Sequence, residues 1–225
     1  MKQTERIPTG IPGLDDLIEG GFIPGSVILL TGQAGTGKTV FGTQFLWNAL
    51  CIGENGVYIT LQQTPQDIID DSTSFVGKDF DFAIKHKQCK IVFVPFQDIK
   101  KLYEIIVSHV QEINAKILVI DSITMFCEAA SSMFEMRHMM NKLIIDLKKL
   151  GITTLMISEI PEGSERISRY GIEEFMADGV IVLSAGVEIV GGKPRSLYIK
   201  KMRRTKHDMN LHPVEITEKG MKVFK

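Results

Sequence analysis

The chain has 225 residues, of which 44% are apolar and 24% charged, and its formal net charge is -1. This length suits one well-packed domain, and the composition is that of an ordinary globular protein. The near-neutral charge does not favour nucleic acid or an acidic membrane surface as a partner, and no run approaches the ~18 apolar residues of a membrane span. Three widely spaced cysteines, an odd number, predict a reducing cytoplasm rather than a disulfide framework.

Six short apolar runs rich in β-branched residues recur along the chain. They cover residues 26–32, 56–61, 90–96, 116–122, 153–158 and 179–184. Their near-continuous hydrophobicity predicts strands that are covered on both faces, as in a parallel sheet. Amphipathic segments predict helices over residues 38–50, 64–76, 99–113 and 134–150. The alternation predicts an α/β fold, a mostly parallel twisted sheet with helices on both faces, which binds ligands at the carboxyl ends of its strands.

The C-terminal part of the chain has a different pattern. Residues 195–204, 214–217 and 221–224 predict antiparallel strands that complete the sheet. No repeat, low-complexity tract or linker-like segment divides the chain, so residues 1–225 are expected to form one domain. The methionines at helical spacing in residues 134–150 favour core packing over a partner-binding face.

Residues 32–39, GQAGTGKT, match the phosphate-loop pattern G-x-x-x-x-G-K-[ST] between a predicted strand and a predicted helix. Glycines let backbone N–H groups turn toward phosphate oxygens, and the helix N-terminus adds a partial positive charge. Lys38 is expected to reach the β and γ phosphates of ATP, and the Thr39 hydroxyl to ligate Mg²⁺. The predicted nucleotide-binding residues of this loop are Gly32, Ala34, Gly35, Thr36, Gly37, Lys38 and Thr39.

The run KILVIDS, residues 116–122, supplies a strand that ends in an acidic residue. Asp121 is expected to hold Mg²⁺ together with Thr39. An apolar strand ending in Asp is common by itself, but downstream of a phosphate loop it completes the metal side of a nucleotide site. The sequence therefore predicts that ATP and Mg²⁺ are the ligands.

The motifs around this loop resemble those of the KaiC-like branch of the RecA-type ATPases. The resemblance rests on residues 9–15, 20–25 and 44–46, and continues through VIDSIT at 119–124, the segment 169–183 and the segment 200–224. It implies a RecA-like core that assembles into a ring, usually a hexamer, with ATP at the subunit interfaces. The chain resembles one such domain, whereas KaiC itself carries two in tandem.

The resemblance also implies roles for the basic C-terminal segment. Lys201, Arg203 and His207 would contact the γ-phosphate and nucleoside of the neighbouring subunit's ATP, and Glu218 would lie near the ribose. Lys201 and Arg203 would share one face of a strand, with Met202 on the other. A nucleic-acid contact and a solvated edge strand are the alternatives, although the neutral net charge disfavours nucleic acid.

The chain departs from the family after the second strand. KaiC-like ATPases have two adjacent glutamates there, and the match places Gln62 and Gln63 at those catalytic positions. A glutamine amide has the shape of the carboxylate without its basicity, so the departure predicts ATP binding with impaired hydrolysis. Three explanations are open: a natural non-cycling assembly, an isosteric replacement introduced to trap ATP, or glutamines that position water productively. An active regulatory ATPase and a RecA-like DNA-binding recombination factor are the alternative functions.

Overall fold

A computed structural model describes residues 5–77, 79–186 and 194–225. Its described residues form one nine-stranded sheet with the strand order β3-β2-β4-β5-β1-β6-β7-β8-β9. The strands are β1 Val27–Gly32, β2 Gly56–Thr60, β3 Cys89–Phe93, β4 Ile117–Asp121, β5 Thr153–Glu159, β6 Gly179–Ala185, β7 Arg195–Met202, β8 His212–Thr217 and β9 Gly220–Val223. The first six are parallel and the last three are antiparallel, which confirms the predicted α/β class.

Helices cover both faces of this sheet. They are α1 Lys38–Cys51, α2 Pro65–Val76, α3 Asp79–Lys85, α4 Leu102–Ile113, α5 Ile123–Glu128, α6 Met133–Leu150 and α7 Glu173–Met176, with 3-10 turns at Asp15–Leu17 and Phe96–Lys101. The four helices predicted from the sequence correspond to α1, α2, α4 and α6. The short helices α3, α5 and α7 were not predicted, because segments this short carry no clear helical period.

Alternate residues of the central strands enter two separate hydrophobic cores. In β1, Ile28 and Leu30 pack on the side of α1 and α2, whereas Val27 and Leu29 pack on the side of α4 and α6. Two packed faces explain why the strands are apolar without alternation. Met136 and Met140 of α6 belong to the second core, so at these positions the methionine stripe packs inward, as predicted.

Two motif segments hold the fold together rather than line the phosphate site. The Asp15 carboxylate accepts hydrogen bonds from the backbone N–H and the hydroxyl of Thr9, at 2.9 and 2.7 Å, and so closes the loop of residues 9–15. The Gln44 amide on α1 donates to the carbonyls of Gly10 and Met221, and its oxygen accepts from the Met221 N–H at 2.7 Å. Gln44 therefore ties the first helix to the last strand. No helix in the described part of the chain is both long and apolar enough to cross a bilayer.

Candidate nucleotide-binding site

The phosphate loop connects β1 to α1 at the carboxyl edge of the parallel strands. Gly35 and Gly37 have φ angles of 74° and 97°, in the left-handed region that favours glycine. A Cβ atom on Gly37 would also lie 2.4 Å from Cδ1 of Ile216, so this position excludes side chains for two reasons. Thr36 is buried and its hydroxyl donates to the Gln33 carbonyl at 2.8 Å.

Lys38 folds back across this loop. Its Nζ donates to the carbonyls of Gly32 and Gln33, at 2.9 and 2.8 Å. Burial lowers the pKa of Lys38, while the carboxylates of Glu159 and Asp121 act in the opposite direction. The ammonium is therefore held at the mouth of the loop, where phosphate oxygens would replace its present carbonyl partners.

The metal side of the site consists of oxygen donors. The Thr39 hydroxyl donates to Oδ2 of Asp121 at 2.9 Å, and the Tyr58 hydroxyl donates to the same oxygen at 2.7 Å. Asp121 is only 9% exposed, and burial raises its pKa against the lowering effect of these two hydrogen bonds. A hydroxyl and a carboxylate side by side form a hard-oxygen donor set, which fits Mg²⁺.

A cavity of about 370 Å³ lies in front of these groups. Its lining includes the two glutamines that follow β2, as well as Glu159 at the end of β5 and Arg195 at the start of β7. The Gln63 backbone is fixed by Thr60, whose hydroxyl donates to the Gln63 carbonyl at 2.8 Å and accepts from its N–H at 3.1 Å. The structure thus brings Gln62 and Gln63 to the cavity that Lys38 and Thr39 also line.

Two further residues of this site carry little signal in the sequence. Tyr58 looks like a core residue of an apolar strand, and its hydrogen bond to Asp121 appears only when β2 and β4 pair. Arg195 donates from Nε to the Gly35 carbonyl at 3.2 Å. Its place follows from the antiparallel register of β7, which sets it opposite Ala185 at the phosphate-loop edge of the sheet.

Lys201 lies at the other end of β7, and Arg203 directly follows that strand. Lys201 pairs with Val180 near the start of β6, and its Nζ donates to the carbonyls of Glu174, Phe175 and Ala177, the shortest at 2.6 Å. Arg203 lies 3.4 Å from the Asp178 carboxylate. At about 3.3 Å per strand residue, Arg203 is roughly 26 Å along the chain from Arg195. Lys201 and Arg203 therefore do not reach the phosphate loop of their own chain. Met202 is buried in the first core, whereas Arg203 is exposed and follows the end of β7, so only Lys201 of the predicted pair lies on the strand.

His207 and Glu218 lie in two different places. His207 lines a second cavity of about 680 Å³ with Asp208 and His212, beside the 3-10 turn at Asp15–Leu17. Glu218 is exposed in the turn between β8 and β9, a hairpin that packs on the phosphate loop through Ile216. Ala34 is exposed on the loop and is not part of the 370 Å³ cavity.

A parallel α/β sheet with a glycine-rich loop, a lysine and a Thr–Asp pair at its carboxyl edge defines a phosphate-loop nucleotide-binding protein. A family model described as "ATPase: KaiC" matches residues 7–225. The chain belongs to this KaiC ATPase family, and nucleotide binding follows from that membership.

Individual relatives agree with this assignment. A UPF0273 protein of Pyrococcus horikoshii is 33% identical over 98% of this chain and 94% of its own length. The circadian clock oscillator protein KaiC of Synechococcus elongatus is 34% identical over 97% of this chain, which covers 44% of that longer protein. The crystal structure of a KaiC-like protein from Pyrococcus horikoshii superimposes with a TM-score of 0.87, at 41% identity, over 99% of this chain and 100% of that one.

Proposed function

We propose that this protein binds ATP with Mg²⁺, assembles on it into a ring of identical subunits, and hydrolyses it very slowly. One observation supports this proposal above the others. The cavity has a phosphate side and a metal side, whereas Gln62 and Gln63 line it with amides in place of a base. The site is therefore suited to holding ATP rather than cycling through it.

The residues of the chain divide the work of binding. The phosphate-loop N–H groups and Lys38 would bind the phosphate oxygens, while Thr39 and Asp121 would hold Mg²⁺. When bound, Mg²⁺ supplies positive charge that neutralises the phosphates. The amides of Gln62 and Gln63 can orient a water molecule by donating or accepting hydrogen bonds, but they cannot take its proton.

The positions of Lys201 and Arg203 support the proposed assembly. Lys201 and Arg203 lie far from the phosphate loop of their own chain, and Arg203 is half-exposed. In a head-to-tail ring, an edge that carries these cations would face the phosphate cavity of the neighbouring subunit. ATP would then stabilise the interface, and a hexamer is the expected ring. The three free cysteines suit a reducing cytoplasm.

Sedimentation velocity with and without ATP and Mg²⁺ tests the ring. We expect the wild type to sediment as an oligomer when ATP is saturating. The double variant Lys201→Ala/Arg203→Ala should still bind ATP but should sediment as a smaller species than the wild type. Lys200→Ala, which removes an exposed cation from the same strand, is the control and should assemble normally. A wild-type monomer in saturating ATP would refute the proposed ring.

Steady-state turnover tests the role of the glutamines. We expect Gln62→Glu/Gln63→Glu to raise kcat by about 10²–10⁴, the usual contribution of a general base. Gln66→Glu adds a carboxylate on the exposed side of α2 and serves as the charge control. Rapid wild-type turnover that the double reversion does not change would support the active ATPase instead.

A further inference from the structure

Glu159 is a carboxylate that lines the phosphate cavity, and the motifs described above assign it no role in catalysis. It ends β5, the strand between the Asp121 strand β4 and the phosphate-loop strand β1. In the parallel register Glu159 is opposite Gly32, the first residue of the loop. Glu159 is therefore adjacent to the backbone whose carbonyl now holds the Lys38 ammonium.

The backbone around Glu159 is fixed on both sides. Its N–H donates to the Thr124 hydroxyl at 3.2 Å, and the next N–H, of Ile160, donates to the Gly32 carbonyl at 3.1 Å. These bonds anchor the strand end to α5 and to the phosphate loop. The position of this side chain thus depends on ordered secondary structure rather than on a free loop.

Two carboxylates line the described phosphate cavity, and they have different surroundings. Asp121 accepts hydrogen bonds from Thr39 and Tyr58, which fit it for holding a metal ion. The described part of the chain shows no hydrogen bond to the Glu159 carboxylate, although it interacts electrostatically with Lys38 and Asp121. Of the two carboxylates that line the cavity, Glu159 is thus the one whose oxygens have no hydrogen-bond donor among the described residues, so they can accept a hydrogen bond from a water molecule in the cavity.

We propose that Glu159 is the general base of the slow hydrolysis, accepting the proton of a water molecule that attacks the γ-phosphate. This inference rests on the proposed function, since it assigns the turnover that remains when Gln62 and Gln63 cannot act as bases. The water oxygen forms a bond to the γ-phosphorus while the bond from that phosphorus to the β–γ bridging oxygen breaks. The electron pair of that broken bond stays on the bridging oxygen, which leaves as part of ADP, and Glu159 returns its proton to the phosphate product or to solvent.

The test compares Glu159→Gln with the wild type and with Glu162→Gln, an exposed carboxylate three residues further along the chain. We expect Glu159→Gln to lower kcat at least about 10²-fold, because it keeps the shape and removes the basicity. The Kd for a fluorescent ATP analogue should change less than about threefold, whereas the affinity for ADP with aluminium fluoride, which mimics the reacting phosphate, should fall. Glu162→Gln should match the wild type in all three measurements.

Three results would overturn the proposal: no detectable wild-type turnover, a loss of kcat below about threefold in Glu159→Gln, or unchanged affinity for the mimic. The Gln62→Glu/Gln63→Glu background provides the second arm. If this reversion raises turnover, adding Glu159→Gln should cost less than about threefold, and a loss equal to that in the wild type would refute a role as base. If the reversion changes nothing, the proposed function fails at the glutamines, and the wild-type comparison alone decides the role of Glu159.

Discussion

Replacing Tyr58 with phenylalanine removes one hydroxyl from the centre of the site. Tyr58 is completely buried, and its hydroxyl donates to Oδ2 of Asp121 at 2.7 Å. Burial, followed by the charge of Asp121, raises the pKa of Tyr58, so the phenol keeps its proton and acts as the donor. Phenylalanine fills the same space but leaves the carboxylate with Thr39 as its hydroxyl donor.

The size of the effect on stability depends on the fact that this hydrogen bond is made to a carboxylate. A hydrogen bond to a charged group contributes about 1.5–3 kcal/mol net. We therefore expect Tyr58→Phe to lower the free energy of unfolding by about that amount in urea titrations. For a chain of this length, the melting temperature should fall by about 3–12 °C. Both measurements should be made without nucleotide or Mg²⁺, so that ligand binding does not contribute.

The effect should depend on pH. Burial raises the folded-state pKa of Asp121, so the stability that this group contributes is present below its ordinary pKa and is lost as the pH rises through the raised value. The Tyr58 hydrogen bond acts in the opposite direction by favouring the ionised form. The difference between Tyr58→Phe and the wild type should therefore be largest at neutral pH and shrink in acid, where Asp121 is protonated in both proteins.

Tyr198→Phe is the matched control. It removes a half-buried phenol hydroxyl for which the described residues show no hydrogen bond, and it should change stability by less than about 0.5 kcal/mol. Equal losses for the two variants would refute the assigned role of the Tyr58–Asp121 hydrogen bond. So would a Tyr58→Phe effect that is independent of pH.

Two further substitutions test the geometry. Gly37→Ala should cost more stability than Gly53→Ala in urea titrations, because both have positive φ but only Gly37 would place its Cβ 2.4 Å from Ile216; equal costs would show that the loop relaxes freely. Lys148→Met removes a 2.8 Å ion pair to Asp178 and should cost about 1–3 kcal/mol at neutral pH. Burial raises the pKa of Asp178, but its hydrogen bonds and the charge of Lys148 together lower it by more, so the net pKa is lowered. The stability gained is present above the unfolded pKa and is lost as the pH falls through the folded one, so acid titration should abolish the difference.

The sequence by itself determined the phosphate loop, Asp121 and the parallel core. These features are local: eight consecutive residues form the loop, and an uninterrupted apolar run marks a strand buried on both faces. It also determined that amides follow β2, and the resemblance gave those amides a meaning. The family match over residues 7–225 confirms that resemblance, whereas the roles of Gln62 and Gln63 are still predictions.

The tertiary structure decided which distant groups meet. Tyr58 joins Asp121 because β2 and β4 pair in register, and Glu159 is opposite Gly32 because β5 is inserted beside β1. Because β7 is antiparallel to β6, Arg195 lies at the phosphate loop and Lys201 lies at the opposite end of the strands, beside the start of β6. Strand order and direction depend on contacts between residues far apart in the chain, which local hydrophobic patterns do not encode.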